Sequence, residues 1–181
     1  MADILPLALT IASERSLEKT ICAISNFVTE TTIIWLDPAN NPDAIALITE
    51  LEAILAPLYP AKNRFGYSVA KSIAQQVAFF VLRHDGVPAG CGGIQMFGAE
   101  FGEIKRMYVR PQFRDRGFGK LLLDHRTDHA RAEGVGLLRL ETGVHQTAAI
   151  GPHERMGFQS IPSFGEYASS PSSLCYEKRI T

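Results

Sequence analysis

The chain has 181 residues, 46% of them apolar and 20% charged, enough to bury a core in one domain and leaving little room for two. Eighteen Lys and Arg against nineteen Asp and Glu give a net charge of −1, which argues against bulk charge tuned for nucleic acid or an anionic membrane. No apolar run is long enough to span a bilayer, and Asp3 stands where a signal peptide would carry positive charge. Three scattered cysteines, Cys22, Cys91 and Cys175, form no metal-ligand spacing and suit a reducing compartment. The expectation is a cytoplasmic protein without a metal.

In chain order, Leu17, Ile21, Ile24 and Phe27 recur at helical spacing behind Ser16, so residues 1–30 read as a helical extension. Thr31–Leu36 is a β-rich run ended by Asp37-Pro38. Asn41 before Pro42 is a capping residue followed by proline at the first helical position. The helix it starts carries Ile45, Ile48, Leu51, Leu55 and Leu58 as its apolar stripe and stops at Pro57 and Pro60. A shorter helix spans about 68–76. Val77–Leu82 and Ala89–Met96 then flank His84-Asp85-Gly86, a hairpin signal.

Gly102–Val109 is a further strand, ended by Arg110-Pro111. Residues 117–133 form a helix with Leu121, Leu122, His125, His129 and Ala132 on one face, stopped by Gly134. A strand over 137–142, a helix over 148–156 and a strand over 174–180 complete the pattern. Strands and helices alternate without a uniform βαβ rhythm, so an α/β chain with a mixed, mostly antiparallel sheet flanked by helices is expected.

Six basic residues against two acidic ones fall between Glu103 and Lys120, a local surplus that suggests a small anionic ligand. Within it, Arg114, Gly117 and Gly119 form an R-x-x-G-x-G loop between a strand and a helix. A helix N-terminus has unpaired N–H groups and the positive end of the dipole, and glycines let backbone approach a phosphate. Taken alone, the loop could equally be a glycine turn with solvated arginines.

The segment does not stand alone. With Met107-Tyr-Val-Arg-Pro, the Arg114–Gly119 loop, Leu138-Arg-Leu-Glu-Thr-Gly143 and Glu154-Arg-Met-Gly-Phe158 in this order, residues 31–181 resemble the GNAT N-acetyltransferase superfamily. The resemblance implies an acyl-CoA N-acyltransferase fold with acetyl-CoA in a gap between two splayed strands. It implies backbone pairing of the pantetheine arm at Met107, Tyr108 and Val109. The pyrophosphate would sit on the N–H groups from Arg114, Asp115, Arg116, Gly117, Phe118 and Gly119 to Lys120. The activity implied is direct transfer of acetyl from acetyl-CoA to a primary amine of a small molecule.

That chemistry needs a base for the amine and an acid for the thiolate. Glu103 matches the strand position of the family's base, its other reading being a carboxylate paired to Lys105 or Arg106. Glu141 faces the same gap as a substrate carboxylate, and Glu166, in Phe164-Gly-Glu-Tyr167, is an ammonium partner or a solvent-loop residue. Where the family reads Leu-Tyr, this chain reads Pro152-His153, so His153 is the candidate acid and Pro152 either kinks the helix or delays its start to Gly151. Alternatives are a degenerate CoA-binding protein with little turnover and a nucleotide-binding module. Neither nucleic acid nor membrane is an expected partner, and residues 1–30 could cap the sheet or support a homodimer.

Overall fold

The computed structural model describes residues 31–36, 41–59 and 68–181; the helical reading of residues 1–30, together with Cys22 and Pro60, lies outside them. The elements are β1 (Thr31–Leu36), α1 (Pro42–Leu55), α2 (Val69–Ala74), β2 (Ala78–His84), β3 (Val87–Phe97) and β4 (Phe101–Val109). They continue as α3 (Phe118–Ala132), β5 (Leu137–Gly143), α4 (Thr147–Arg155), β6 (Gln159–Ile161) and β7 (Ser173–Arg179), with single 3-10 turns at Pro111–Phe113 and Gly165–Tyr167. The strands form one sheet in the order β1-β2-β3-β4-β5-β7-β6. Every neighbouring pair is antiparallel except β4 and β5, the mixed sheet that the irregular alternation predicts.

Local signals set the boundaries. Asn41 Oδ1 accepts from the N–H groups of Asp43 (3.0 Å) and Ala44 (3.2 Å), closing the N-terminus of α1 while Pro42 needs no acceptor. At the β2–β3 hairpin Asp85 and Gly86 have φ of 51° and 76°, the left-handed pair whose twist matches the strands. β6 is a three-residue edge strand that no periodicity announces.

Two apolar layers sandwich the sheet. Leu47, Ile48 and Leu51 of α1 pack on Phe79, Val81, Cys91 and Tyr108, while Leu123 and Ala130 of α3 pack on Phe80, Ile94, Ile104, Leu138 and Leu140. Both helices are turned relative to their expected stripes. In α1 the buried set is Ala44, Leu47, Ile48 and Leu51, and Ile45 and Leu58 face solvent. In α3 it is Phe118, Leu122, Leu123, Arg126, Thr127 and Ala130, and Leu121 faces solvent. An arginine therefore enters the core. The rings of His125 and His129 sit edge-on to Phe80, with centroids 4.8 and 5.6 Å away.

Candidate active site

The site begins with an irregularity in β4. Cys91 of β3 faces Tyr108 and Gly93 faces Lys105, so β4 carries one extra residue there, and Arg106 takes φ 54°. Such a bulge resets side-chain alternation. Before it, Glu103 and Lys105 point to the α1 side; after it Tyr108 does, and Met107 turns to α3, where a Cβ on Gly119 would stand 3.3 Å from Met107 Cε. Arg106 is held by an ion pair to Glu52 of α1.

β4 and β5 pair only from Gly102 to Ile104 against Leu138 to Leu140. Beyond those residues the two strands part, and a cavity of about 130 Å³ opens between them, walled by Glu103, Lys105, Met107, Glu141, His153 and Tyr167 among others. Its polar floor is a closed triangle. Glu103 Oε1 accepts from Lys105 Nζ and from Tyr167 Oη, both at 2.6 Å, and Lys105 Nζ lies 2.7 Å from Tyr167 Oη. Both bonds to Glu103 fall on Oε1, leaving Oε2 for an incoming donor. Burial and the adjacent carboxylate push the Tyr167 phenol above its ordinary range, so it remains a hydrogen-bond donor.

Glu141 lines the same cavity and accepts from Ser173 Oγ at 2.6 Å. Burial raises its pKa, an effect the serine bond partly offsets. Glu166 does not wall this cavity; its carboxylate already lies 3.4 Å from Lys71 Nζ and 3.6 Å from Lys105 Nζ. Tyr59 closes the roof. Its hydroxyl accepts from the backbone N–H of His145 at 2.9 Å, and it lies over Gly143, where a Cβ would meet Tyr59 Oη at 2.1 Å. A glycine at the end of β5 thus makes room for the phenol.

A second cavity, of about 450 Å³, runs on toward the N-terminus of α3 and is walled by Met107, Tyr108, Val109, Arg114, Asp115, Gly117, Phe118 and Gly119. Asp115 and Gly117 have φ of 61° and 78°, and no side chain caps the helix, so its first N–H groups remain available to an anion. The side chains are less uniform than the sequence suggests. Arg114 Nε donates to the Val109 carbonyl at 3.2 Å. Tyr108 turns away to Glu50, so its contribution to the gap is its backbone. Arg116 and Lys120 do not wall the cavity: one guanidinium lies 5.7 Å over the Phe113 ring and Lys120 pairs with Asp124.

The α3 side of the splay has the opposite character. Arg126 is fully buried, and among the described residues none of its three guanidinium nitrogens has a hydrogen-bond partner. It fits because position 92 is glycine: a Cβ there would stand 1.5 Å from Arg126 Nη1. Burial lowers the Arg126 pKa to about 10. His153 walls both cavities, and burial, reinforced by the charge of Arg126, lowers its pKa to about 4. At neutral pH the candidate acid at position 153 is therefore an uncharged ring. α4 starts at Thr147 and contains Pro152, so the delayed start at Gly151 does not occur.

The alternative reading of Glu103 as a carboxylate paired to Lys105 holds, and Arg106 pairs with Glu52 instead. Sequence reasoning missed Tyr167 as the third member of the cluster, and missed Tyr59 and Arg126; of these Tyr167 carried a signal, its place beside Glu166 in a segment already singled out.

A strand-splayed mixed sheet with a glycine loop opening a helix is the fold of the acyl-CoA N-acyltransferases. A solved structure from Klebsiella pneumoniae assigned to that class is 34% identical and covers 83% of this chain and 98% of its own, with a TM-score of 0.70. The PaiA N-acetyltransferase of Thermoplasma acidophilum, solved with coenzyme A, shares the fold at 19% identity and TM-score 0.66, covering 83% and 99%. The IAA acetyltransferase of Azospirillum brasilense is 38% identical over 137 residues, 75% of this chain and 90% of its own. Residues 48–158 match the acetyltransferase (GNAT) family. The chain belongs to that family and is an acetyl-CoA-dependent N-acetyltransferase.

No helix among the described residues is long and apolar enough to cross a membrane. No group of three or more His, Cys, Asp or Glu among them is placed to hold a metal ion.

Proposed function

We propose that this protein transfers acetyl from acetyl-CoA directly to a primary amine of a small molecule, in the cytoplasm, with Glu103 as the base. The observation that carries the reading is Glu103 itself. It is a buried carboxylate at the point where β4 and β5 part, with one oxygen fixed by Lys105 and Tyr167 and the other open. The amine nitrogen attacks the thioester carbon, its proton passes to Glu103 Oε2, and the C–S bond breaks as the N–C bond forms. Glu141 orients the amine from the facing strand.

The uncharged His153 ring offers an N–H to the departing sulfur rather than a full proton. The pyrophosphate rests on the backbone of the Arg114–Gly119 loop and the start of α3, with Arg116 and Lys120 adding only distant charge. Support comes from the cavity walled by this loop and from the family's relatives solved with coenzyme A.

Thiol release tests the base. Glu103→Gln keeps shape and removes the acceptor, so kcat should fall about 10²–10³-fold with CoA affinity nearly unchanged. Full activity in that variant would move the role to Glu141 or to water. Gly119→Val should abolish CoA binding by calorimetry; wild-type affinity would remove the loop from the site.

A further inference from the structure

A third cavity, of about 390 Å³, adjoins the polar triangle on the side away from the glycine loop, and Glu103 and Tyr167 belong to its wall as well. Three phenylalanines, Phe97, Phe101 and Phe164, share its remaining wall with Gln75, Gln95, Arg139, Gly165 and Glu166. Phe97 stacks on Phe101 with centroids 4.7 Å apart, Phe164 sits edge-on to Phe101 at 5.8 Å and to Tyr167 at 5.4 Å. The Arg139 guanidinium lies over both Phe101 and Phe164, at 4.6 and 5.2 Å. Phe97 is 38% exposed at the mouth. Water gains little from such walls, whereas a flat apolar ring gains burial and edge or face contacts.

We infer that this recess receives the acceptor, and that the acceptor is a primary amine carrying an aromatic group. The inference rests on the proposed transfer reaction and gives it a substrate class. Four features set the size and orientation of the acceptor. A cavity of about 150 Å³ already takes a benzene ring, so this one admits a single or fused aryl group. The recess and the strand gap share Glu103, so a ring packed beside Phe97 and Phe164 directs a short alkylamine arm toward the Glu103 carboxylate. Glu103 and Glu166 wall the recess next to Tyr167, and Lys105 Nζ lies 2.6 and 3.6 Å from their carboxylates, so the amine that reaches Glu103 does so as the neutral base. Arg139, tied to Glu177 at 3.4 Å, stands over the aromatic end. A polycation would meet it as a like charge; a carboxylate beside the amine would meet it as a partner.

The test uses the whole protein with acetyl-CoA and four probes: 2-phenylethylamine, L-phenylalanine, butylamine and spermidine. Thiol release should give a kcat/KM for the aryl amines about tenfold or more above butylamine, the gain expected for burying a ring. Whichever of 2-phenylethylamine and L-phenylalanine leads shows whether Arg139 receives a carboxylate. Phe164→Ala, and the exposed Phe97→Ala as a variant that leaves the interior intact, should bring the aryl-to-butyl ratio toward one, and Phe164→Tyr should restore it. Equal kcat/KM across the panel, or preference for spermidine, overturns the inference. Calorimetry on the CoA-loaded protein separates the two readings. If no amine releases thiol but 2-phenylethylamine binds and Phe164→Ala removes that binding, the transfer reading fails and the recess stands; absent aryl binding removes the recess itself.

Discussion

The two sides of the β4–β5 splay bury charge to similar depth and handle it oppositely. On the α1 side Glu103, Lys105 and Tyr167 satisfy one another within 2.7 Å. On the α3 side Arg126 and the Nδ1 of His153 have no partner among the described residues. A buried polar group that is fully bonded holds its geometry, while an unbonded one carries its desolvation cost into the fold. The satisfied side is the preorganised one, where a reaction needs atoms held in place. On the unsatisfied side burial keeps the His153 imidazole neutral, and the Arg126 charge adds to that effect.

Removing one partner from the satisfied side should cost most. Lys105→Met leaves Glu103 buried without its counter-ion, a change that typically destabilises by about 3–5 kcal/mol. Urea unfolding would register it, and thiol release should be lost in parallel.

On the other side the sign reverses. Arg126→Met exchanges an unpaired buried cation for an apolar chain of related shape and should stabilise the fold by about 1–4 kcal/mol. The same denaturation curves measure it; a loss of stability would mean that Arg126 has a partner the contrast denies it. The His153 ring should titrate somewhat higher in this variant, followed by NMR, because one of the two causes of its low pKa is gone.

The pH dependence of stability tests His153 directly. Its folded pKa is lowered to about 4 from 6.5, so its contribution is present above 6.5 and is lost as pH falls through about 4. Wild type should lose roughly 3 kcal/mol from this group across that window, a slope that His153→Phe should flatten. The smallest effect belongs to the surface. Lys120→Ala removes an exposed pair with Asp124 and should change stability by less than about 0.5 kcal/mol.

What could be read from the sequence was local. Asn41-Pro42, Asp85-Gly86 and Gly134 act within a few residues of themselves, and each marks its boundary. The glycine loop and Glu103 were legible because the motif places them on adjoining elements. What escaped depends on distant partners. Tyr167 reaches Glu103 across 64 residues of chain. The phase of α3 was misread because a stripe through His125 and His129 looks better than one through an arginine. Only the glycine on β3 makes the second arrangement possible, and periodicity within a helix carries no information about a strand 34 residues away. The β4 bulge escaped too, since Arg106 occupies the left-handed position where a glycine would have been the usual sign.

Gly92 and Arg126 also constrain the order in which this chain can change. Any side chain added at position 92 first would stand 1.5 Å from the guanidinium, so that step requires the arginine to move out of its buried place. Shortening position 126 first is open, and it leaves a hollow under the sheet that a later alanine or valine at 92 could fill. The two positions are therefore coupled with a direction: a change on the helix leaves the strand undisturbed, whereas a change on the strand displaces the helix's arginine.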